Sequence, residues 1–473
     1  MYSRRTSIFR TLTFFATIAF VLLGTYLVIR YAKGDRLGKA GIVNGTGLLA
    51  ANSFPTSAEV YLNGKLSTAT DNTLNLEPGD YLVEVKKDGY HAWSKNLKIE
   101  AQLVTSTNAQ LFPTSPSLEP LTYIGATQIT PSPQGEKLAY VVASASASTK
   151  NGLYVQDLTN SPISFNKNAR QIAVTSAEYD YTQASFIFSP NSSEILVSFD
   201  DDTHLLLSST QFNDPKYLKD VTYKLTTLLS DWELELARTE LVRLNTLPEY
   251  FQALATDSAS LTNLYFSPDG KKLLYQSLSD LEIPTNLIPA LLASNSQLES
   301  RSLKAGAWYV YDLKEDKNFL VAEGTRPSPS PTSTPKSTKN TKTLLPPTTY
   351  HLPPTKLTLL TSLSPIPAET TSSSSAYKRL QTSNIKDTFK LFNAQYSPIF
   401  VNGIQWYPDS SHLIINTDKT IEVMEYDSTN RVTLYAGPFD SSIVYPWPDG
   451  SKIITKIQFS PDTLPNLYTI KLK

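Results

Sequence analysis

Few residues in this chain are of a type and spacing that could do chemistry. There are four histidines, His91, His204, His351 and His412, and no cysteine. The lack of thiols removes disulfides, thiolate nucleophiles and Cys-ligated zinc or iron–sulfur sites together. The H-E-x-x-H pair of zinc proteases and the G-x-S-x-G elbow of hydrolases are also missing. His351 falls in a stretch dense in Pro, Ser and Thr, and His412 at a turn position of a repeat, so each histidine reads as an ordinary surface residue. Gly45-Thr46-Gly47-Leu48-Leu49-Ala50 has the letters of a dinucleotide fingerprint. That fingerprint needs a strand before it and a helix after it. Here a linker precedes it and Pro55 soon follows, so no cofactor is expected. Asp200-Asp201-Asp202 could offer carboxylates to Ca²⁺, but it lacks the D-x-D-x-D spacing with glycine of a calcium loop. It reads as a solvated hairpin tip. No catalytic, cofactor-binding or metal-ligating residue emerges, and the chain reads as a non-enzyme.

The elements around these residues are mainly β. The chain has 473 residues, which predicts two to four folding units. Lys+Arg number 42 against 43 Asp+Glu, leaving no basic excess to neutralise a nucleic-acid backbone. Charged residues make up 18%, while Pro reaches 31 and Tyr 26, a profile that suits turn-rich β structure. Tyr140, Tyr154, Tyr265, Tyr275, Tyr309 and Tyr311 fall at alternating positions and are expected to pack in a core rather than line a binding face.

Thr11–Ile29 carries no charge and is followed by no A-x-A-like cleavage site. At about 1.5 Å rise per residue it covers most of a ~30 Å hydrocarbon core. Residues 11–30 are therefore expected to form an uncleaved, single-pass transmembrane helix, with residues 1–10 as a stub and 31–45 as a linker. Arg4, Arg5 and Arg10 before the span nearly balance Arg30, Lys33, Arg36 and Lys39 after it. The bulk of the chain follows the span, which favours a cytoplasmic N-terminus and an extracytoplasmic remainder.

Residues 46–112 read as short strands between turns. Ala58–Leu62 runs into Asn63-Gly64, a pair suited to a type I′ hairpin turn. Pro78-Gly79 predicts a type II turn, Tyr81, Val83 and Val85 a half-buried strand, and Asp88-Gly89 another turn before a strand over Trp93–Ile99. Pro55–Lys65, Leu76–Tyr81, Lys87–Tyr90 and Trp93 together resemble a PEGA domain, with Thr56-Ser57 standing where that family has Glu-Gly. The resemblance implies a small, non-catalytic, extracytoplasmic β-sandwich that acts as a spacer.

One pattern then recurs over residues 115–473: Pro, a turn residue, Gly or Ser, two polar residues and an aliphatic strand. Its copies begin at Pro133, Pro190, Pro268, Pro408 and Pro448. Pro presets φ, Asp or Asn bonds its own backbone, and Gly takes the left-handed conformation. Repeats of this kind predict β-propeller blades, here about five. The style resembles the WD-repeat-like and TolB-like propellers of bacterial envelopes. Leu118–Ile124 is placed to supply the fourth strand of the last blade, and Phe459-Ser460-Pro461-Asp462 is a partial copy that would make a sixth. Residues 225–256 read as a helical insertion, opened by a capping box at Ser230-Asp231-Trp232-Glu233, with a second short helix over Glu249–Ala255. Residues 325–376 read as a disordered Pro/Ser/Thr-rich insertion. The expected function is non-catalytic recognition or scaffolding at the cell envelope, with an envelope protein or wall polymer as partner. The alternative is a propeller enzyme acting on an envelope polysaccharide.

Overall fold

A computed structural model of the chain describes residues 3–32, 36–37, 43–133, 135–158, 169–256, 260–289, 291–292, 294–323, 403–417 and 419–473. The disordered insertion expected over 325–376, and His351 within it, lie outside the described residues. The chain divides into two compact units, Met1–Thr114 with Ala290–Gln297, and Ser115–Pro289 with Leu298–Lys473.

Unit 1 opens with helix α1, Ser3–Ala32. Within it Arg10–Ile29 is 20 residues long with mean hydropathy 2.3 and none of it buried. That is long and apolar enough to cross a membrane, a property a signal sequence shares. The β part is a sandwich. One antiparallel sheet runs in the order Lys65–Ala69, Glu59–Leu62, Gly79–Lys86, Trp93–Ile99. The facing sheet places Gly47–Ala51 between Val104–Ser106, a parallel partner, and Asn72–Leu76, an antiparallel one. Leu49 and Ala51 from one sheet meet Val60, Val83, Val85, Trp93 and Ile99 from the other. Tyr81, Val83 and Val85 point to this core as their alternation predicts, and Asn63 and Gly64 both have positive φ (50° and 78°), as a type I′ turn requires. The type II turn expected at Pro78-Gly79 does not form. Gly79 is the first residue of its strand, paired with Ile99, and its φ is not left-handed. The letters Gly45–Ala50 likewise lead into a strand, not a helix. A Cβ on Gly47 would stand 2.4 Å from the Glu100 carbonyl oxygen, so this glycine serves packing against the backbone.

Unit 2 holds five four-stranded antiparallel sheets. The first is Thr127–Pro131, Lys137–Val142, Gly152–Asp157 and Arg170–Val174. The second is Ser185–Phe188, Glu194–Ser198, His204–Ser208 and Lys219–Asp220. The third is Leu261–Phe266, Lys272–Ser277, Trp308–Asp312 and Lys317–Ala322. The fourth is Ile404–Trp406, His412–Asn416, Thr420–Glu425 and Val432–Ala436. In the fifth, Val444–Pro446, Lys452–Ile457 and Asn466–Lys471 are completed by Leu118–Pro120, which pairs with Ile470 to Tyr468. The early strand joins the late ones as expected, although it stops at Pro120 rather than Ile124. Phe459–Asp462 lies in the loop between the second and third strands of this sheet, with no strand of its own.

Strands buried on both faces let sheet pack on sheet. Val141 and Val155 of the first sheet meet Phe186, Phe188 and Val197 of the second. Tyr140 and Val142, on the opposite face, meet Tyr445, Trp447 and Ile454 of the fifth. Leu274 and Val310 of the third meet Trp406, Leu413 and Met424 of the fourth. Between the second and third sheets lie two helices, α2 (Leu225–Leu244) and α3 (Glu249–Thr256). Leu225, Leu229 and Trp232 of α2 pack on Ile187, Leu196 and Leu206 of the second sheet. Phe251 of α3 packs on the third, its ring 4.1 Å from that of Tyr311. The capping box expected at Ser230 is a correction: α2 starts at Leu225, so Ser230 and Glu233 are interior residues. The i, i+4, i+7 spacing of Leu225, Leu229 and Trp232 gives the extra turn an apolar face to bury.

Candidate functional site

The repeat turns are built alike. In each, the residue before Pro donates its N–H to the carbonyl at the start of the next strand: Ser132 to Lys137 (2.8 Å), Ser189 to Glu194 (2.9 Å), Ser267 to Lys272 (2.8 Å), Tyr407 to His412 (2.9 Å) and Trp447 to Lys452 (2.8 Å). The third position is left-handed every time, with φ of 72° at Gly135, 59° at Ser192, 70° at Gly270, 60° at Ser410 and 68° at Gly450. Asn191, Asp269, Asp409 and Asp449 each accept the N–H two residues on through Oδ1. This side-chain mimic of a turn is the reason Asp and Asn recur there.

The turns also touch one another. Lys137 Nζ donates to the Ser192 carbonyl at 2.9 Å and to Ser209 Oγ at 3.0 Å, tying the first turn to the second. Asp269 N–H donates to Ser410 Oγ at 3.0 Å, tying the third to the fourth. Tyr407 Oη donates to the Gly450 carbonyl, tying the fourth to the fifth. A Cβ on Gly135 would stand 2.5 Å from Tyr445 Oη, so the fifth sheet meets the first turn at van der Waals range. The turns thus form one stitched series running second, first, fifth, fourth, third. Between the second and third sheets in chain order stand α2, packed on the second, and α3, packed on the third.

Burial sets the electrostatics of this series. It pushes the Lys137 ammonium below its usual value, against the pull of Asp157. His412 is 3% exposed, and its Nδ1 lies 2.6 Å from Asp409 Oδ2. Burial pushes the Asp409 carboxyl up, but the His412 charge and the hydrogen bonds from the His412 ring and the Ser411 and His412 N–H groups outweigh it. Asp409 is held below the usual carboxylate range. Burial raises the Tyr407 and Tyr445 phenols, and Tyr407 donates as a neutral group.

The other singled-out residues are not brought to this series. His204 stands in the second sheet with Nδ1 2.7 Å from Ser198 Oγ, and burial pushes its pKa down against Asp202, Asp220 and Asp201. Both His204 and His412 are buried, which corrects their reading as surface residues. Their neighbours explain the difference, since Ser198 and the Asp409 carboxylate satisfy rings that would otherwise need water. His91 is half-buried, with Nε2 unpartnered. Asp200–Asp202 form the tip between two strands of the second sheet, where Asp201 Oδ1 accepts the Thr203 N–H at 3.0 Å. Among the described residues no group of three or more His, Cys, Asp or Glu side chains is placed to hold a metal ion. Sequence reasoning missed Tyr407 and Tyr445 as links between turns. Tyr407 stands just before the repeat Pro408, whereas Tyr445 precedes Pro446, ahead of the fifth repeat.

Residues 46–115 match the PEGA domain family. The PEGA domain thus covers the sandwich of unit 1. A search of curated proteins found no match. Among solved structures, the chain is similar to a putative TolB from Agrobacterium tumefaciens, at 11% identity over 74% of this chain and 73% of that one, with a TM-score of 0.19. It is also similar to an oligogalacturonate lyase from Vibrio parahaemolyticus, at 10% identity over 83% and 86%, TM-score 0.21. TolB from Acinetobacter baumannii matches at 9% identity over 83% and 60%, TM-score 0.17. No chemistry is carried over from these proteins.

Proposed function

We propose that this protein is a non-catalytic binding or scaffolding protein of the cell envelope. In this reading α1 is a single-pass anchor, the PEGA domain a spacer, and unit 2 a five-bladed propeller whose stitched turns present a rigid recognition face. The observation that carries it is the series of hydrogen bonds from turn to turn, because a preorganised surface binds without a large ordering cost. The apolar length of Arg10–Ile29 supports the anchor. The PEGA match supports an extracytoplasmic setting.

The ligand class is an envelope protein or wall polymer. Co-sedimentation of residues 41–473 with purified wall polymer, beside the PEGA domain alone, is the test. Binding that needs unit 2 and weakens when turn residues Lys271 and Ser411 are replaced by Glu is the expected result. Pelleting of neither segment removes the wall polymer from this reading, and a cross-linking search for a protein partner follows.

A further inference from the structure

We propose that the helical insertion is a pH-responsive latch: α2 is seated between the second and third sheets while Glu233 carries a proton, and loosens when Glu233 ionises. Sheet packs on sheet from the second through the first to the fifth, and from the fourth to the third, with Gln405 Nε2 donating to the Val444 carbonyl at 2.7 Å between fourth and fifth; α2 covers the second sheet's other face and α3 that of the third. Within this packing Glu233 is 8% exposed, and among the described residues neither of its carboxylate oxygens has a hydrogen-bond partner. Ser230, one turn earlier, is buried with Oγ equally unpartnered. A neutral acid tolerates such a place. An ionised one loses its hydration with nothing in exchange.

Among the described residues no hydrogen bond or ion pair relieves it. Asp231 and Glu235 on α2, Lys219 and Asp220 on the second sheet, Glu249 on α3 and Arg243 at the end of α2 are all exposed. His204, the buried titratable group of the second sheet, is bonded to Ser198. Burial alone pushes the Glu233 carboxyl above its usual 4.5. The sign follows: the raised value means the proton stabilises the seated helix in acid, and this contribution is lost as pH rises through the seated value. Trp232 is the next residue and packs into the second sheet, so displacing Glu233 disturbs the apolar contact that holds α2 down. The latch would hold α2 against the second sheet in acid and loosen it as pH rises.

Hydrogen–deuterium exchange of the full chain in detergent tests this at pH 5 and pH 8, corrected for intrinsic exchange, with peptides across Leu225–Leu244 as the readout. Strands of the first sheet serve as the internal reference. Wild-type α2 should lose protection at pH 8 relative to pH 5, beyond any change in the reference strands. Glu233→Gln should abolish that difference and leave the reference strands unchanged. Should Glu233→Gln lose protection everywhere, Glu233→Leu is the second neutral variant. Equal protection of wild-type α2 at both pH values overturns the proposal without either variant, as does an undiminished difference in a folded neutral one.

Discussion

Thr122 Oγ1 donates to Asn466 Oδ1 at 3.0 Å although 344 positions separate the two residues. The same hydroxyl accepts the Leu467 N–H at 2.9 Å, in a buried setting. Around it Leu118–Pro120 pairs with Tyr468–Ile470, so this hydroxyl fastens the strand that completes the fifth sheet.

Thr122→Val keeps the shape and removes both bonds, leaving a buried N–H unsatisfied. The expected loss is about 1–3 kcal/mol, read as a lowered denaturation midpoint in urea. A midpoint equal to wild type would show that this fastening contributes nothing.

Deleting residues 466–473 removes the partner of Leu118–Pro120 along with a central strand of the fifth sheet. Thermal melting of residues 41–473 should lose its cooperative transition for unit 2 and keep that of the PEGA domain. An unchanged melting curve would mean the early strand does not complete the sheet.

Gly450 and Gly270 occupy the same turn position with nearly equal φ, 68° and 70°. A Cβ on Gly450 meets Tyr407 Oη at 2.6 Å, whereas one on Gly270 meets nothing within 4 Å. Both alanine variants carry the cost of a left-handed non-glycine residue, about 1–2 kcal/mol. Gly450→Ala should therefore destabilise more than Gly270→Ala, because only it pushes apart the fourth and fifth turns. Equal midpoints in chemical denaturation would refute the link.

Asp409 is held below the usual carboxylate range in the folded state. Its contribution is present above the unfolded pKa of 3.8 and is lost as pH falls through the lower folded value. Denaturation midpoints measured from about pH 5 down to pH 2 should fall less steeply in Asp409→Asn than in wild type. Parallel slopes would count against the His412 pairing.

Burial lifts the phenols of Tyr140, Tyr181, Tyr275, Tyr311 and Tyr445 well above their usual value, and that of Tyr265 to about 12. The folded state thus favours the protonated phenol, and this contribution is lost as pH rises. Phenolate absorbance at about pH 11 should be smaller in folded than in urea-unfolded protein, and should rise together with loss of the β signal in circular dichroism.

The repeat turns were legible because their chemistry is local. Pro, Asp or Asn, and Gly each answer one backbone demand, and Gly135, Gly270 and Gly450 are left-handed where the pattern places them; Ser192 and Ser410 adopt the same conformation, which the pattern does not assign to Ser. Asn63-Gly64 was legible for the same reason. Pro78-Gly79 was not, because pairing of Gly79 with Ile99 across the sheet overrode the local preference of the pair. Ser230 and Glu233 have the letters of a cap, but Leu225 and Leu229 find an apolar surface on the second sheet, and that tertiary gain starts the helix earlier. The burial of His412 and the reach of Tyr407 to Gly450 depend on which turns become neighbours, and no spacing within one repeat encodes that.

The fifth sheet also sets a clock on biogenesis. Leu118–Pro120 is made early, while its partner residues, such as Thr469 opposite Glu119, are made 350 positions later. At roughly 5–20 residues per second, the ribosome takes about 20–70 s to bridge that gap. Throughout that interval the early strand lacks the partner that completes its sheet. A prematurely terminated chain would carry an open edge that aggregation or proteolysis can detect.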